Sequence, residues 1–180
     1  CGSSGKEASP VYKKSEVDLA CNETIVDFGD WKVHLAARND GVAYRFTTAF
    51  AEPKVKVAGE KAPVVLPSAD LDCRVGQPDE YSEGPQLFKW VSNWEPIYTN
   101  MTAKALTESS ARFTVLPLVV SYPDGTQLVV TEADARRYPG WLLRGRGKDL
   151  TLDSEFAPVP NEELAKGPYH LQIKAEDRYG

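Results

Sequence analysis

Phe113 to Leu143, FTVLPLVVSYPDGTQLVVTEADARRYPGWLL, is the stretch whose reading decides the fold. Phe113 to Val120 is an apolar run rich in β-branched residues, the composition of a pleated, mostly buried strand. Pro123-Asp124-Gly125 interrupts it with a preset φ and a residue free to take φ > 0, so the chain reverses tightly. Gln127 to Thr131 reads as the returning strand. Glu132-Ala133-Asp134 makes a polar corner, Tyr138-Pro139-Gly140 turns again, and Trp141-Leu142-Leu143 opens a third strand. A hairpin with one returning strand is a sheet nucleus, and it carries no obvious chemistry.

Working outward, the same punctuation recurs. Val17 to Phe28 and Trp31 to Ala37 read as strands about Gly29-Asp30, with Lys32, His34 and Ala36 alternating against Val33, Leu35 and Ala37. Arg38-Asn39-Asp40-Gly41 is a hairpin signal placed on Asp-Gly, and Val42 to Phe46 returns from it. Lys54 to Val57 and Pro63 to Leu66 are further short β segments. Ala69 to Ser92, studded with Gly76, Pro78, Gly84 and Pro85, reads as a long loop. Ala103 to Leu106 reads as a strand pairing with the apolar run that follows. Leu150 to Leu152 and Tyr169 to Lys174 are later strands, and Phe156 to Pro160 is extended because of its prolines. Single helical turns fit only Thr131 to Arg137 and Asn161 to Ala165. Short strands, Gly/Pro/Asp turns and almost no helix point to an all-β antiparallel sandwich. Residues 1–10 read as a flexible tail or linker and residues 11–180 as one domain.

Bulk composition narrows the function. The chain has 180 residues, 42% hydrophobic and 26% charged, an ordinary globular balance. A net charge of −5 argues against nucleic acid, which wants a basic stripe. No apolar run approaches the roughly 20 residues needed to cross a bilayer. The three cysteines, Cys1, Cys21 and Cys73, lack metal-finger spacing. Two thiols are favoured over a Cys21–Cys73 disulfide. Cys1-Gly2-Ser3-Ser4-Gly5 fits either a cloning remnant or the lipid-bearing start of a mature bacterial lipoprotein.

The chemical signals are few. His34 and His170 sit in alternating strands and read as structural. Asn22-Glu23-Thr24 and Asn100-Met101-Thr102 fit the glycosylation sequon, a motif short enough to arise by chance. Neither a nucleophile elbow nor a phosphate-binding glycine loop is present. Most carboxylates belong to a solvated surface. Glu95 stands apart, because it lies among Trp90, Trp94, Pro96 and Tyr98. A carboxylate among aromatics suits a hard cation, and flat aromatic faces suit sugar rings. On residue types alone, half-buried core or rim aromatics with Glu95 at their edge are the favoured explanation of the same cluster.

One resemblance organises these signals. Asn22-Glu23, Arg38 to Phe46, Trp94-Glu95-Pro96-Ile97-Tyr98, Leu116 to Val120, Thr131-Glu132-Ala133-Asp134, Tyr138-Pro139-Gly140 and Phe156-Ala157-Pro158 occur in that order. The series resembles the N-terminal β-sandwich domain of glycoside hydrolase family 97, bacterial α-glucosidases and α-galactosidases. The resemblance runs over about residues 9–160 and stops short at the start, where the family's first strands are not matched. It implies a non-catalytic domain packed on a separate catalytic (β/α)8 barrel, which holds the acid and base carboxylates. It implies that Glu95 completes a calcium site otherwise built by the barrel, with Tyr98 following it. It implies an α-linked oligosaccharide as substrate and a periplasmic or cell-surface location. Glycoside hydrolysis needs two carboxyl groups about 5–10 Å apart, and no such pair is evident here, so activity of this segment alone is not expected. Two other readings stay open: a stand-alone carbohydrate-binding module using Trp90, Trp94 and Tyr98, and a surface lipoprotein.

Overall fold

The structure, a computed structural model, describes residues 2–3, 5–8, 15–51, 57, 59–76, 98–110, 112–133 and 140–156. The chain divides into two compact units, Cys1–Pro53 and Lys54–Gly180. Both are built from antiparallel strands, and the described residues contain one short helix. The expected all-β antiparallel sandwich class holds.

The first unit contains β1 (Gly2–Ser3), β2 (Lys6–Ala8), β3 (Glu16–Asp18), β4 (Cys21–Asp27), β5 (Trp31–Arg38) and β6 (Gly41–Thr48). Its main sheet runs β1-β4-β5-β6, and β2 pairs with β3 apart from it. Arg38 faces Gly41, so the two central turn residues are Asn39 and Asp40. The glycine stands outside the turn and lacks a positive φ, which corrects the Asp-Gly assignment. Asn and Asp fill the tight positions instead, since short polar side chains tolerate that backbone. Register places Val26, Val33 and Phe46 in one row, with Thr24, Leu35 and Tyr44 in the next. On this apolar face Phe28 stacks on Trp31 at 4.2 Å, Trp31 meets Phe46 at 6.1 Å, and Tyr44 meets Phe46 edge-on at 5.6 Å. Many of these side chains are exposed. The opposite face is polar, with Lys32 paired to Asp27 at 2.6 Å.

The second unit contains β7 (Val64–Val65), β8 (Asp72–Gly76), β9 (Tyr98–Thr102), α1 (Ala103–Thr107), β10 (Phe113–Ser121), β11 (Gln127–Val130), β12 (Trp141–Gly145) and β13 (Thr151–Phe156). The sheet order is β7-β13-β12-β10-β8-β9, and β11 pairs with the far half of β10. The hairpin expected at Pro123-Asp124-Gly125 is present: Ser121 faces Gln127, Gly125 has φ +87°, and Asp124 accepts from the Thr126 N–H at 2.9 Å. The third strand, β12, returns onto the first half of β10. Pro117 has no N–H to offer the ladder, and the β10–β8 register shifts between Val115 and Val119. Leu66, Cys73, Val75, Ala103, Leu106, Leu118, Val120, Leu143 and Leu152 form one buried cluster. Full burial of such side chains is worth about 1.5–3 kcal/mol each.

Two expectations fail here. The supposed loop from Ala69 contains β8, a central strand whose Cys73 and Val75 are fully buried. Leu71, Cys73 and Val75 alternate with Asp72 and Arg74, a period of two that the neighbouring Gly and Pro obscure. Ala103 to Leu106 is helix rather than strand, because the Thr102 hydroxyl caps it by accepting from the Ala105 N–H at 3.1 Å. Residues 131–133 are not helical. The segments expected at 54–56, 77–92, 138–139, 157–165 and 169–174 lie outside the described residues.

Candidate functional site

Of the four residues singled out in the sequence, the structure places one. Trp90, Trp94 and Glu95 lie outside the described residues. Tyr98 begins β9 at the edge of the second unit's sheet. Its strand, Tyr98-Thr99-Asn100-Met101-Thr102, is short, carries β-favouring Tyr and Thr, and ends where Thr102 caps α1.

Tyr98 stands opposite Gly76 of β8. Gly76 is buried, and a Cβ there would meet Tyr98 Cζ at 3.1 Å and Val115 Cγ2 at 2.8 Å. The ring therefore lies over the glycine, in space that any side chain would fill. It remains 39% exposed. Two positions along, Asn100 faces Arg74, and the Arg74 Nε–H donates to Asn100 Oδ1 at 3.3 Å. Both are exposed. Asp72 and Thr102, also exposed, form the next row. The sequence flags Asn100 only within a glycosylation sequon and does not flag Arg74. Arg74 alternates with buried Cys73 and Val75, Asn100 stands two residues from Tyr98, and nothing in the chain order announces that they meet.

Elsewhere several described titratable groups tie strands and corners together. His34, expected to be structural, is held between Glu23 (Nδ1 to Oε1, 3.1 Å) and Thr47 (Nε2 to Oγ1, 3.0 Å) across three strands. Glu132 Oε2 accepts the Trp141 N–H at 2.8 Å, tying the corner after β11 to the start of β12. Burial pushes the Glu132 carboxyl up, the Trp141 N–H opposes this, and nearby Glu60 adds a small push in the same direction as burial. The Arg146 guanidinium, 2.6 Å from Asp153, holds that carboxyl below the usual range. No disulfide joins Cys21 to Cys73, and burial pushes Cys73 up to about 11. Among the described residues no group of three or more His, Cys, Asp or Glu is arranged to hold a metal ion. Among them also, no helix is long and apolar enough to cross a membrane.

Comparisons with known proteins bear on this arrangement. The family described as "Glycosyl-hydrolase 97 N-terminal" matches residues 4–174. A retaining alpha-galactosidase of Bacteroides thetaiotaomicron is 32% identical over 170 residues, which is 94% of this chain and 25% of that protein. Among solved structures, a glycoside hydrolase family 97 enzyme in complex with acarbose, from Pseudoalteromonas sp. strain K8, superposes with a TM-score of 0.65 at 14% identity. That match covers 88% of this chain and 23% of the other. The chain thus spans about a quarter of the length of the relatives it matches.

Proposed function

The chain belongs to the glycosyl-hydrolase 97 N-terminal family, and on that footing we propose that it serves as the non-catalytic N-terminal part of a family 97-type glycoside hydrolase. In this reading it packs on a separate (β/α)8 catalytic barrel and shapes one side of a pocket for α-linked oligosaccharide. One observation carries the proposal. The 32% identity extends along 94% of this chain yet accounts for only 25% of a retaining alpha-galactosidase. An all-β fold whose recognisable titratable clusters hold strands together supports the accessory role. So do the exposed aromatics of β5 and β6, since large apolar patches mark surfaces that another body covers.

Calcium belongs to the proposal as well. The described residues do not by themselves fit that ion, which takes about 6–8 oxygens. Glu95 would supply one carboxylate and the barrel the remainder. A periplasmic or cell-surface location completes the reading, and mass spectrometry of Cys1 from native membranes tests for a lipid anchor.

The test of the accessory role is a domain exchange. The N-terminal quarter of the Bacteroides thetaiotaomicron enzyme is replaced by this chain, and folding and α-galactosidase activity are measured against the enzyme lacking that quarter. Recovery of soluble, active enzyme supports the proposal. A chimera no better than the truncated enzyme contradicts it. The exposed Tyr98 ring favours a second reading, a stand-alone carbohydrate-binding module, which predicts sugar binding without any barrel.

A further inference from the structure

We propose that the open face of β8 and β9 is itself a sugar-binding surface, on which Tyr98 stacks a pyranose ring while Arg74 and Asn100 hydrogen-bond its hydroxyls. The proposal rests on the sugar-processing role above but uses residues that role does not require. Stacking needs a flat aromatic ring held parallel to the sheet and open on its outer side. Gly76 provides the seat, because a Cβ there would stand 3.1 Å from Tyr98 Cζ and 2.8 Å from Val115 Cγ2, so that the side chains over it would have to shift. At 39% exposure, the ring is held and still accessible.

The polar partners lie one row along. Residues two apart on a strand project from the same face about 6.5–7 Å apart, and paired strands lie about 4.8 Å apart. Asn100 and its partner Arg74 thus stand within one pyranose width of the Tyr98 ring. Asn offers two donors and an acceptor, and Arg offers planar donors suited to paired oxygens. The Arg74–Asn100 hydrogen bond uses one guanidinium N–H and leaves the other four for a ligand. Asp72 and Thr102, exposed in the following row, supply an acceptor and a hydroxyl for a second sugar unit. This combination of one seated ring and four polar side chains suits a neutral oligosaccharide.

The experiment uses the whole 180-residue chain, isotopically labelled, and follows its amide signals by NMR while maltotriose or raffinose is added to millimolar concentration. The expected result is shifts concentrated at residues 72–76 and 98–102. Tyr98→Ala and Asn100→Ala should each weaken binding about tenfold, a loss of about 1.4 kcal/mol, while Tyr98→Phe keeps it. Gly76→Ala should weaken binding as Tyr98→Ala does, and Tyr98→Phe keeps the test valid if Gly76→Ala misfolds. Absence of shifts with both sugars, shifts located elsewhere, or full binding by Tyr98→Ala overturns the inference. The domain exchange above reads the accessory role separately, so either can fail while the other stands.

Discussion

Replacing Gly145 by alanine probes how the second unit's helix is seated. Gly145 is buried at the end of β12 and donates its N–H to the Arg112 carbonyl at 3.0 Å. A Cβ there would stand 2.6 Å from the Ser109 carbonyl oxygen, 2.8 Å from that of Leu106 and 3.0 Å from that of Thr107. Comfortable carbon–oxygen contacts are about 3.3–3.6 Å, so the strand or the helix end must retreat by roughly 0.5–1 Å. All three obstacles are backbone atoms, and none can rotate aside. Gly145 is not one of the positive-φ glycines, so the cost is steric rather than conformational. Moving the helix end also disturbs the Gly147 N–H bond to the Thr107 carbonyl at 2.9 Å. Overpacking costs about 1–3 kcal/mol and a weakened hydrogen bond about 1 more, giving roughly 2–4 kcal/mol. At about 2–4 °C per kcal/mol for a body of this size, the melting temperature should fall by roughly 5–15 °C. Scanning calorimetry of Gly145→Ala reads this directly. A melting temperature within about 1 °C of the parent would refute the packing of α1 against β12.

Three further outcomes follow from the charged and polar groups. Burial raises the Glu132 carboxyl, so its contribution to stability is present below the ordinary glutamate value, about 4.3, and is lost as pH rises through the folded value. Glu132→Gln keeps an oxygen for the Trp141 N–H, so it should melt above the parent at neutral pH, with the gap closing near pH 4; a gap independent of pH contradicts this. Cys73, fully buried and pushed up to about 11, should resist alkylation at mildly alkaline pH until denaturant is added; peptide mapping that finds Cys73 labelled without denaturant would refute it. Calorimetry with calcium should register no heat at micromolar concentration for the chain alone, since Glu95 would be a single ligand; tight binding would place the whole site within this chain.

Much of the fold was legible because some segments advertise themselves twice. β10 and β11 are marked by an apolar run and by Pro123-Asp124-Gly125, and both signals agree with the sheet they enter. β8 was missed because Leu71, Cys73 and Val75 give only three alternating apolar residues before Gly76 and Pro78 suggest loop. α1 was missed because five residues of Ala, Lys, Leu and Thr carry little periodicity, and the decisive signal was the Thr102 cap. The candidate surface was legible only at Tyr98. Gly76 reads in sequence as a breaker, yet in the sheet it is the seat of that ring. Arg74 and Asn100 become partners only through the β8–β9 register, which local pattern does not specify.

A chain that serves a glycoside hydrolase from outside its catalytic barrel, as proposed, turns over no glycoside by itself. The most direct measurement is release of nitrophenol from nitrophenyl α-glucoside and α-galactoside by the purified chain alone. The expected rate equals the buffer blank. Turnover that persists through repurification and follows the protein peak would contradict it.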